Sequence, residues 1–274
     1  MKLKMRIRNF WHRMWKTLSR NDMLILPGQL AFFLVLAIVP TVTLIIYFAS
    51  LFNVSIDFMR DFVMKAFGSE IANLIIPMID DIHFSPEVLI PLFVAMYAAS
   101  GGASSIIVTS NQLYHIENTN FLRRKIKGLV MTFILVLLIV FLLLVPVFGD
   151  KFIELIQYVN ISTGVTNLLT YIVNLSKGPI SWFLIFLLVK IIYTLAPDDN
   201  VPSRCTTKGS LFTTLGLVLS TVIYSLYVNN VAHYDVLYGG LSHFVVLMFW
   251  FYIIAYIITI GIAINTDDVE SWKK

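Results

Sequence analysis

The feature that most constrains this chain is the run LVMTFILVLLIVFLLLVPVF, which contains no charged side chain. A helix of about 20 apolar residues is what crosses the roughly 30 Å hydrocarbon core of a bilayer. Five further apolar blocks flank this run, and the charged residues, only 13% of the chain, gather mainly between the blocks. The sequence therefore predicts an all-α membrane protein with six transmembrane helices. The predicted spans are 30–52, 88–112, 128–148, 180–195, 211–229 and 241–265.

The basic residues between the spans predict the orientation of the chain. Fifteen lysines and arginines lie before span one, in the connections after spans two and four, and after span six. Only four lie in the long connections 53–87 and 149–179. Because cytoplasmic segments carry the excess of lysine and arginine, we expect both termini in the cytoplasm. Residues 1–274 are predicted to form one membrane domain, with the bundle at 30–265 and a cytoplasmic tail at 266–274.

Segments outside the spans are also predicted to be helical. Apolar residues recur at helical spacing among lysines and arginines in residues 1–22, which predicts a basic amphipathic helix in the cytoplasmic membrane interface. An ordinary basic flank without lipid selectivity fits the same pattern. The outer connections 53–87 and 149–179 each contain two apolar segments that are broken by a glycine and too short to span. These segments are candidates for interfacial or re-entrant helices.

The second span is rich in small and polar residues, as its core AASGGASSIIVTSNQ shows. Small residues at four-residue spacing let the backbones of two membrane helices approach closely, so a helix-packing face is predicted here. A second local feature is Pro40, which lies inside the first span and is predicted to kink it, because proline cannot donate the backbone hydrogen bond of a helix. The predicted packing residues are Ser100, Gly101, Gly102, Ser104 and Thr109.

Other polar side chains collect toward the cytoplasmic halves of spans one, two and four. Because lipid offers them no hydrogen-bond partner, we predict that they line one polar cavity, and that an anionic lipid headgroup binds there. The alternative is that each group is satisfied separately by backbone or headgroups, with Lys190 reaching the interface along its aliphatic stem. The predicted binding residues are Gln29, Ser105, Asn111, Gln112 and Lys190, with Arg123 and Arg124 beside the mouth of the cavity.

Enzyme chemistry finds little support in the sequence. No two of the five histidines are closer than ten residues, and no HxHxD-like cluster, P-loop or GxSxG element is present. Metal-dependent cleavage of RNA needs carboxylates and histidines gathered around an ion. We therefore expect no catalytic residues, no metal, no cofactor and no nucleic-acid partner.

Four segments make the chain recognisable. GQLAFFLVLAIVP, AASGGASSIIVTSNQLYHIE, IIYTLAPDDNVPSR and YGGLSHFVVLMFWFYIIAYIITIGIAIN resemble, in that order, the landmarks of the YihY/BrkB family of integral membrane proteins. Some members of this family carry a ribonuclease label. The resemblance covers nearly the whole chain and implies a six-span protein of the bacterial cytoplasmic membrane. The chain departs from the family pattern at Ile264, where the last helix of the family carries an acidic residue.

Two functions of different kinds are compatible with these observations. The first is movement or flipping of a lipid or lipid-linked envelope molecule between leaflets, which intramembrane polar residues favour. The second is a non-catalytic membrane subunit that anchors or stabilises an envelope complex through its small-residue faces. The expected partners are membrane lipids with anionic headgroups, an envelope protein, or further copies of the chain.

Overall fold

The computed structural model describes residues 22–51, 89–158, 163–230 and 241–273, with Asp57, Arg60, Asp61 and Met64 as single positions between the first two ranges. Every regular element in these ranges is helical, which confirms the predicted all-α fold class. A short 3₁₀ turn at Ser203–Thr206 follows the fifth helix. The helices are α1 (Asp22–Leu36), α2 (Ile38–Leu51), α3 (Leu89–Leu113), α4 (Phe121–Tyr158), α5 (Thr163–Leu195), α6 (Thr207–Asn230) and α7 (Leu241–Lys273).

Four of these helices are long and apolar enough to cross a membrane, namely α3, α4, α5 and α7. A shorter apolar stretch, Ile25–Leu36, lies in α1, and α6 covers the predicted fifth span. Many large apolar side chains on these helices face outward, where a soluble protein would place polar groups. The chain is therefore a polytopic membrane protein, as predicted.

The first predicted span is two helices, α1 and α2, separated by a single turn residue, Ala37. In an unbroken helix the carbonyl of Leu36 would accept the N–H of residue 40, but residue 40 is a proline and has none. The neighbouring bonds survive, since Ala37 donates to Phe33 O at 3.0 Å and Thr41 donates to Ala37 O at 2.9 Å. The interruption thus lies one turn before Pro40.

The predicted connection 149–179 needs correction. Residues 149–158 continue α4, and residues 163–179 form the first half of α5, so this segment is not a pair of separate interfacial helices. Pro179, the last residue of the predicted connection, lies inside α5 without ending it. Transmembrane helices tolerate proline where other groups satisfy the freed carbonyl. Almost all of the predicted helix at 1–22 and of the connection 53–87 lies outside the described residues.

One end of the bundle collects most of the polar contacts described below. There α3, α5 and α7 end, and α1, α4 and α6 begin. Met23 and Leu26 of α1 pack in the same buried cluster as Tyr114, Tyr193 and Val269. We call this end the polar end. A second apolar core, built around Val136, Val140, Leu144 and Leu247, lies farther along the bundle.

Candidate functional site at the polar end

Helices α6 and α7 touch backbone to backbone at two glycines. A methyl group added to Gly209 would overlap the carbonyl oxygen of Gly261, and one added to Gly261 would overlap Thr213 Oγ1. The close approach lets the Gly209 N–H donate to Asn265 Oδ1 at 2.7 Å. This bond orients the Asn265 amide, and Asn265 Nδ2 also lies against Gly209, where an added methyl carbon would overlap it.

A buried tyrosine is fully hydrogen-bonded beside this crossing. Tyr193 of α5 donates its hydroxyl to Ile258 O at 2.8 Å and shares a 2.6 Å hydrogen bond with Thr213 Oγ1. Its side chain is 1% exposed. The hydroxyl thereby connects α5, α6 and α7 within the apolar core.

Three polar side chains nearby lack such partners. Ser110, Tyr114 and Asn265 are 0%, 1% and 0% exposed, and Ser110 Oγ, Tyr114 Oη and Asn265 Nδ2 accept or donate no hydrogen bond with the described residues. Ser110 and Tyr114 are four residues apart and share one helix face. The Asn265 side chain is the polar neighbour of the Tyr114 hydroxyl, and the pair lies at the limit of hydrogen-bond geometry. We call these three residues the unpartnered cluster.

A second set of polar residues lies at the same end of the bundle, and these residues are hydrogen-bonded to one another. Asp198, in the loop after α5, accepts hydrogen bonds from Asn111 Nδ2 at 2.7 Å, from Lys127 Nζ at 2.8 Å, and from the N–H and hydroxyl of Thr119 at 3.1 and 3.0 Å. The Asp198 N–H donates back to Asn111 Oδ1 at 2.9 Å. Lys127 also donates to Ala196 O and Pro197 O. We call Asn111, Thr119, Lys127 and Asp198 the capping network.

The electrostatics of the capping network favour an ionised Asp198. Its side chain is only 5% exposed, and burial on its own raises the pKa of this carboxyl. The hydrogen bonds from Lys127, Thr119 and Asn111, with the charge of Lys127, outweigh burial and lower the pKa of Asp198 to about 2. Every proton of the Lys127 ammonium has an acceptor, so this ion pair is satisfied on both sides.

The last turns of α7 are tied to the same end by ion pairs. Lys273 pairs with Asp199 at 3.1 Å and donates to Tyr114 O at 3.4 Å. Lys208 of α6 pairs with Asp268 of α7 at 2.8 Å. The Lys208 side chain is mostly exposed, so its pair contributes little to stability.

The structure places the residues predicted to bind a headgroup in different surroundings. Asn111 belongs to the capping network, whereas Gln29, Gln112 and Arg123 are exposed. Ser105 is buried, but it lies six residues before Asn111, about 240° around the helix axis, so the two side chains face different neighbours.

The predicted cations do not face Asn111 in a common cavity. Lys190 Nζ lies 5.7 Å from the ring centroid of Phe186 on its own helix. Arg124 lies 6.0 Å from the ring of Phe121. Asn111, the predicted residue that belongs to the capping network, is saturated by hydrogen bonds with Asp198 and Asn118.

The small residues of α3 lie against two helices. A methyl group on Gly101 would stand 3.4 Å from Phe33 Cδ1, and one on Gly102 would stand 3.6 Å from Ala37 Cβ. On another face, Gly128 of α4 approaches Ser104 Oγ and Ser100 O. Ser100 and Thr109 are buried.

Sequence reasoning missed several members of the site. Tyr193, Gly209 and Gly261 gave no polar or periodic signal, because tyrosines and glycines are common in membrane helices. Lys127 and Asp198 were visible as a basic cluster and the acidic pair of LAPDDN, but 71 residues separate them. Only the folded chain shows that they pair.

Comparison with known proteins adds a family and several distant relatives. The ribonuclease-like protein YfkH of Bacillus subtilis is 27% identical over 64% of this chain and 62% of its own. UPF0761 membrane proteins of Chlorobium phaeobacteroides and Cronobacter sakazakii are 24% and 25% identical over 90% and 95% of this chain, and over 57% and 88% of theirs. The chain thus spans about three fifths of the first and second of these three proteins. No solved structure matches.

The word ribonuclease in one relative's name concerns that relative. Within the ranges that the structure describes, no three histidine, cysteine, aspartate or glutamate side chains are placed to hold a metal ion. The expectation that this chain is not an enzyme stays a prediction.

The family assignment rests on a match that covers most of the chain. The model of the family described as virulence factor BrkB matches residues 14–270, which include every described helix up to the last turn of α7. The chain belongs to the BrkB family of membrane proteins.

Proposed function

We propose that this protein moves a lipid or lipid-linked envelope molecule between the leaflets of the bacterial plasma membrane. The observation that supports this function is the unpartnered cluster of Ser110, Tyr114 and Asn265. A buried polar group without a partner costs about 1–3 kcal/mol. A membrane anchor has no use for three such groups inside its bundle, whereas a transporter needs polar groups that are free to bind its substrate.

The chemistry of the cluster suits a polar headgroup. Asn265 Nδ2 is a donor, because its amide is oriented by Gly209, and the two hydroxyls can each donate one proton. Phosphate and sugar oxygens accept such bonds. The headgroup of a lipid would therefore find, inside the bundle, replacements for the water that it leaves.

The capping network has a complementary place in this proposal. It holds the loop after α5 against α3 and α4 at the polar end, through Asp198, Asn111 and Lys127. In a transporter the two ends of the substrate path open in turn, and a closed end requires contacts of this kind. In this proposal the capping network belongs to a state that is closed at the polar end.

Orientation is part of the proposal. The excess of lysine and arginine at the polar end supports a cytoplasmic location for that end and for both termini. Cysteines introduced at Asp150 and at Arg124 test this, since the two residues lie toward opposite ends of α4. A membrane-impermeant maleimide added to cells should label the first and spare the second. The reverse pattern would place the polar end outside. The native Cys205 is buried, which limits background labelling.

Transport is tested with the purified full chain in vesicles. Vesicles of phosphatidylethanolamine and phosphatidylglycerol receive fluorescent phosphatidylglycerol in both leaflets, and dithionite then bleaches only the outer leaflet. We expect protein-containing vesicles to lose most of their fluorescence, and protein-free vesicles to keep the inner-leaflet share. A subunit that only anchors a partner would leave the two curves identical, and that result would refute the proposed function for this lipid class.

A further inference from the structure

A groove on the outer surface of the bundle lies between α3 and α4. It has a volume of about 480 Å³ and is lined by Phe93, Val94, Met96, Tyr97 and Leu129. The groove is apolar, and Phe93 and Val94 are 71% and 63% exposed. In a membrane such a surface is in contact with lipid chains.

A lysine stands at this groove. Lys125 Nζ donates to Tyr97 O at 2.9 Å and lies 3.8 Å from the centroid of the Tyr97 ring, which is close enough for a cation–π contact. Tyr97 is sixteen residues before the last residue of α3, about 24 Å along the helix axis. The ammonium is therefore directed along the groove rather than toward the polar end.

The Lys125 charge differs from three other lysine charges of the bundle. Lys127, Lys208 and Lys273 each have a carboxylate within 3.1 Å. Within the described ranges Lys125 pairs with no carboxylate, and one carbonyl is its only hydrogen-bond acceptor. The surrounding side chains of α4 are exposed and apolar, as at Phe121, Leu122 and Ile126. A charge at a lipid-facing surface is costly without a counter-charge, so a functional site is the default reading.

We propose that the groove binds one anionic phospholipid, with its phosphate on Lys125 and one acyl chain along the five lining residues. The apolar lining suits a hydrocarbon chain, and the two unused ammonium protons suit phosphate oxygens. A lipid of net negative charge neutralises Lys125, whereas a zwitterionic lipid brings a second cation to the site. This inference rests on the proposed function, since it names the class of lipid that the protein handles.

The structure provides a matched control for the test. Lys190 is also a lysine within a membrane-spanning helix, and its ammonium also lies near an aromatic ring, that of Phe186. It is not among the residues that line the groove. Lys190→Met therefore removes the same charge in a similar setting without altering the site. Val94→Trp changes the groove in the opposite manner, because it fills the apolar part and keeps Lys125.

Native mass spectrometry of the delipidated full chain can measure the binding of dioleoyl phosphatidylglycerol and dioleoyl phosphatidylcholine. We expect the wild type to bind one phosphatidylglycerol in preference to phosphatidylcholine. Lys125→Met should weaken phosphatidylglycerol binding by about tenfold, the effect of one charge-assisted hydrogen bond, and remove the preference. Lys190→Met should preserve both. Val94→Trp should weaken the binding of both lipids, which keeps the test decisive if Lys125→Met fails to fold.

Two results would overturn the proposal. One is equal loss of phosphatidylglycerol in Lys125→Met and Lys190→Met, which would indicate a general effect of charge. The other is a wild-type dimer that binds no lipid at the groove and dissociates in Val94→Trp, which would assign the groove to a second copy of the chain. Binding is measured without translocation. Lipid bound at Lys125 with no transport would therefore refute the proposed function alone, and transport with no such preference would refute this inference alone.

Discussion

The two polar regions at the same end of the bundle differ in how their hydrogen bonds are made. In the capping network the Asp198 carboxylate and the Lys127 ammonium are both saturated, by bonds of 2.5 to 3.1 Å. In the unpartnered cluster, Ser110 Oγ, Tyr114 Oη and Asn265 Nδ2 are more deeply buried and have no partner among the described residues. Both regions lie at the polar end, where the same helices begin and end.

The difference distinguishes polar side chains that hold the helices together from polar side chains that are available to bind a ligand. A saturated network in a low dielectric environment holds its elements in one arrangement and is costly to break. Unsaturated groups that are buried more deeply still add nothing to that arrangement and lower stability. A chain that keeps both uses the first to hold the end closed and the second to bind. Each of the following substitutions tests one side of this comparison.

The largest effect is expected at the glycine crossing that orients Asn265. Gly209→Ala would drive a methyl group into the Gly261 carbonyl, where backbone rather than a side chain would have to move. We expect a loss of about 3 kcal/mol or of folded protein altogether, at the upper end for overpacking. Gly28→Ala is the control, because no atom of the described residues lies within 4 Å of its added carbon. It should match or exceed the wild type in melting temperature in detergent, and equal loss in both variants would contradict the crossing.

The second largest loss of stability is expected when the capping network is broken. Asp198→Ala leaves the Lys127 ammonium without its counter-charge and Asn111 Nδ2 without its 2.7 Å acceptor. Because Lys127 keeps two carbonyl acceptors, we expect a loss of about 2–3 kcal/mol, slightly below the cost of breaking a fully buried pair. Lys208→Met, which breaks an exposed pair, should change the melting temperature little. A similar loss in both variants would argue against the network.

The pH dependence of stability follows from the same carboxyl. The pKa of Asp198 is lowered from 3.8 to about 2 in the folded protein. The folded state thus gains stability from Asp198 above pH 3.8, about 2 kcal/mol. That gain is lost as the pH falls toward 2. The melting temperature of the wild type should fall more steeply between pH 5 and pH 2 than that of Asp198→Asn, and parallel curves would show that the pair is not formed.

The sequence predicts the membrane-spanning helices well, because the lipid environment constrains each of them separately. A helix in hydrocarbon must satisfy its own backbone, so apolar blocks translate directly into helices such as α3 and α7. The boundary between α4 and α5 was misplaced because Gly178, Pro179 and the polar residues before them resemble a loop, while the structure continues α5 through them.

The site was harder to predict because it depends on distant pairing. Asn111 was recognised as polar within a span, but its partner Asp198 is 87 residues away. Side chains close in sequence, such as Ser105 and Asn111, turned out to face different neighbours. The Gly209–Gly261 crossing needs two helices to meet at one register, which a single sequence does not encode as a pattern.

The same substitution, tyrosine to phenylalanine, can be made at two positions to test the comparison between the two polar regions. Tyr193→Phe removes a hydroxyl with two hydrogen bonds, to Ile258 O and Thr213 Oγ1, and should lose about 1–3 kcal/mol. Tyr114→Phe removes a buried hydroxyl that has no partner, so its melting temperature should equal or exceed that of the wild type. Both variants differ from the wild type by one oxygen atom.

The most direct measurement combines stability and lipid translocation for these two variants in the same preparations. We expect Tyr114→Phe to be as stable as the wild type and slower in the dithionite assay, and Tyr193→Phe to be less stable, with the wild-type rate per folded molecule. If Tyr114→Phe instead loses stability and keeps the wild-type rate, the Tyr114 hydroxyl has a structural role, and the distinction between the two polar regions is wrong.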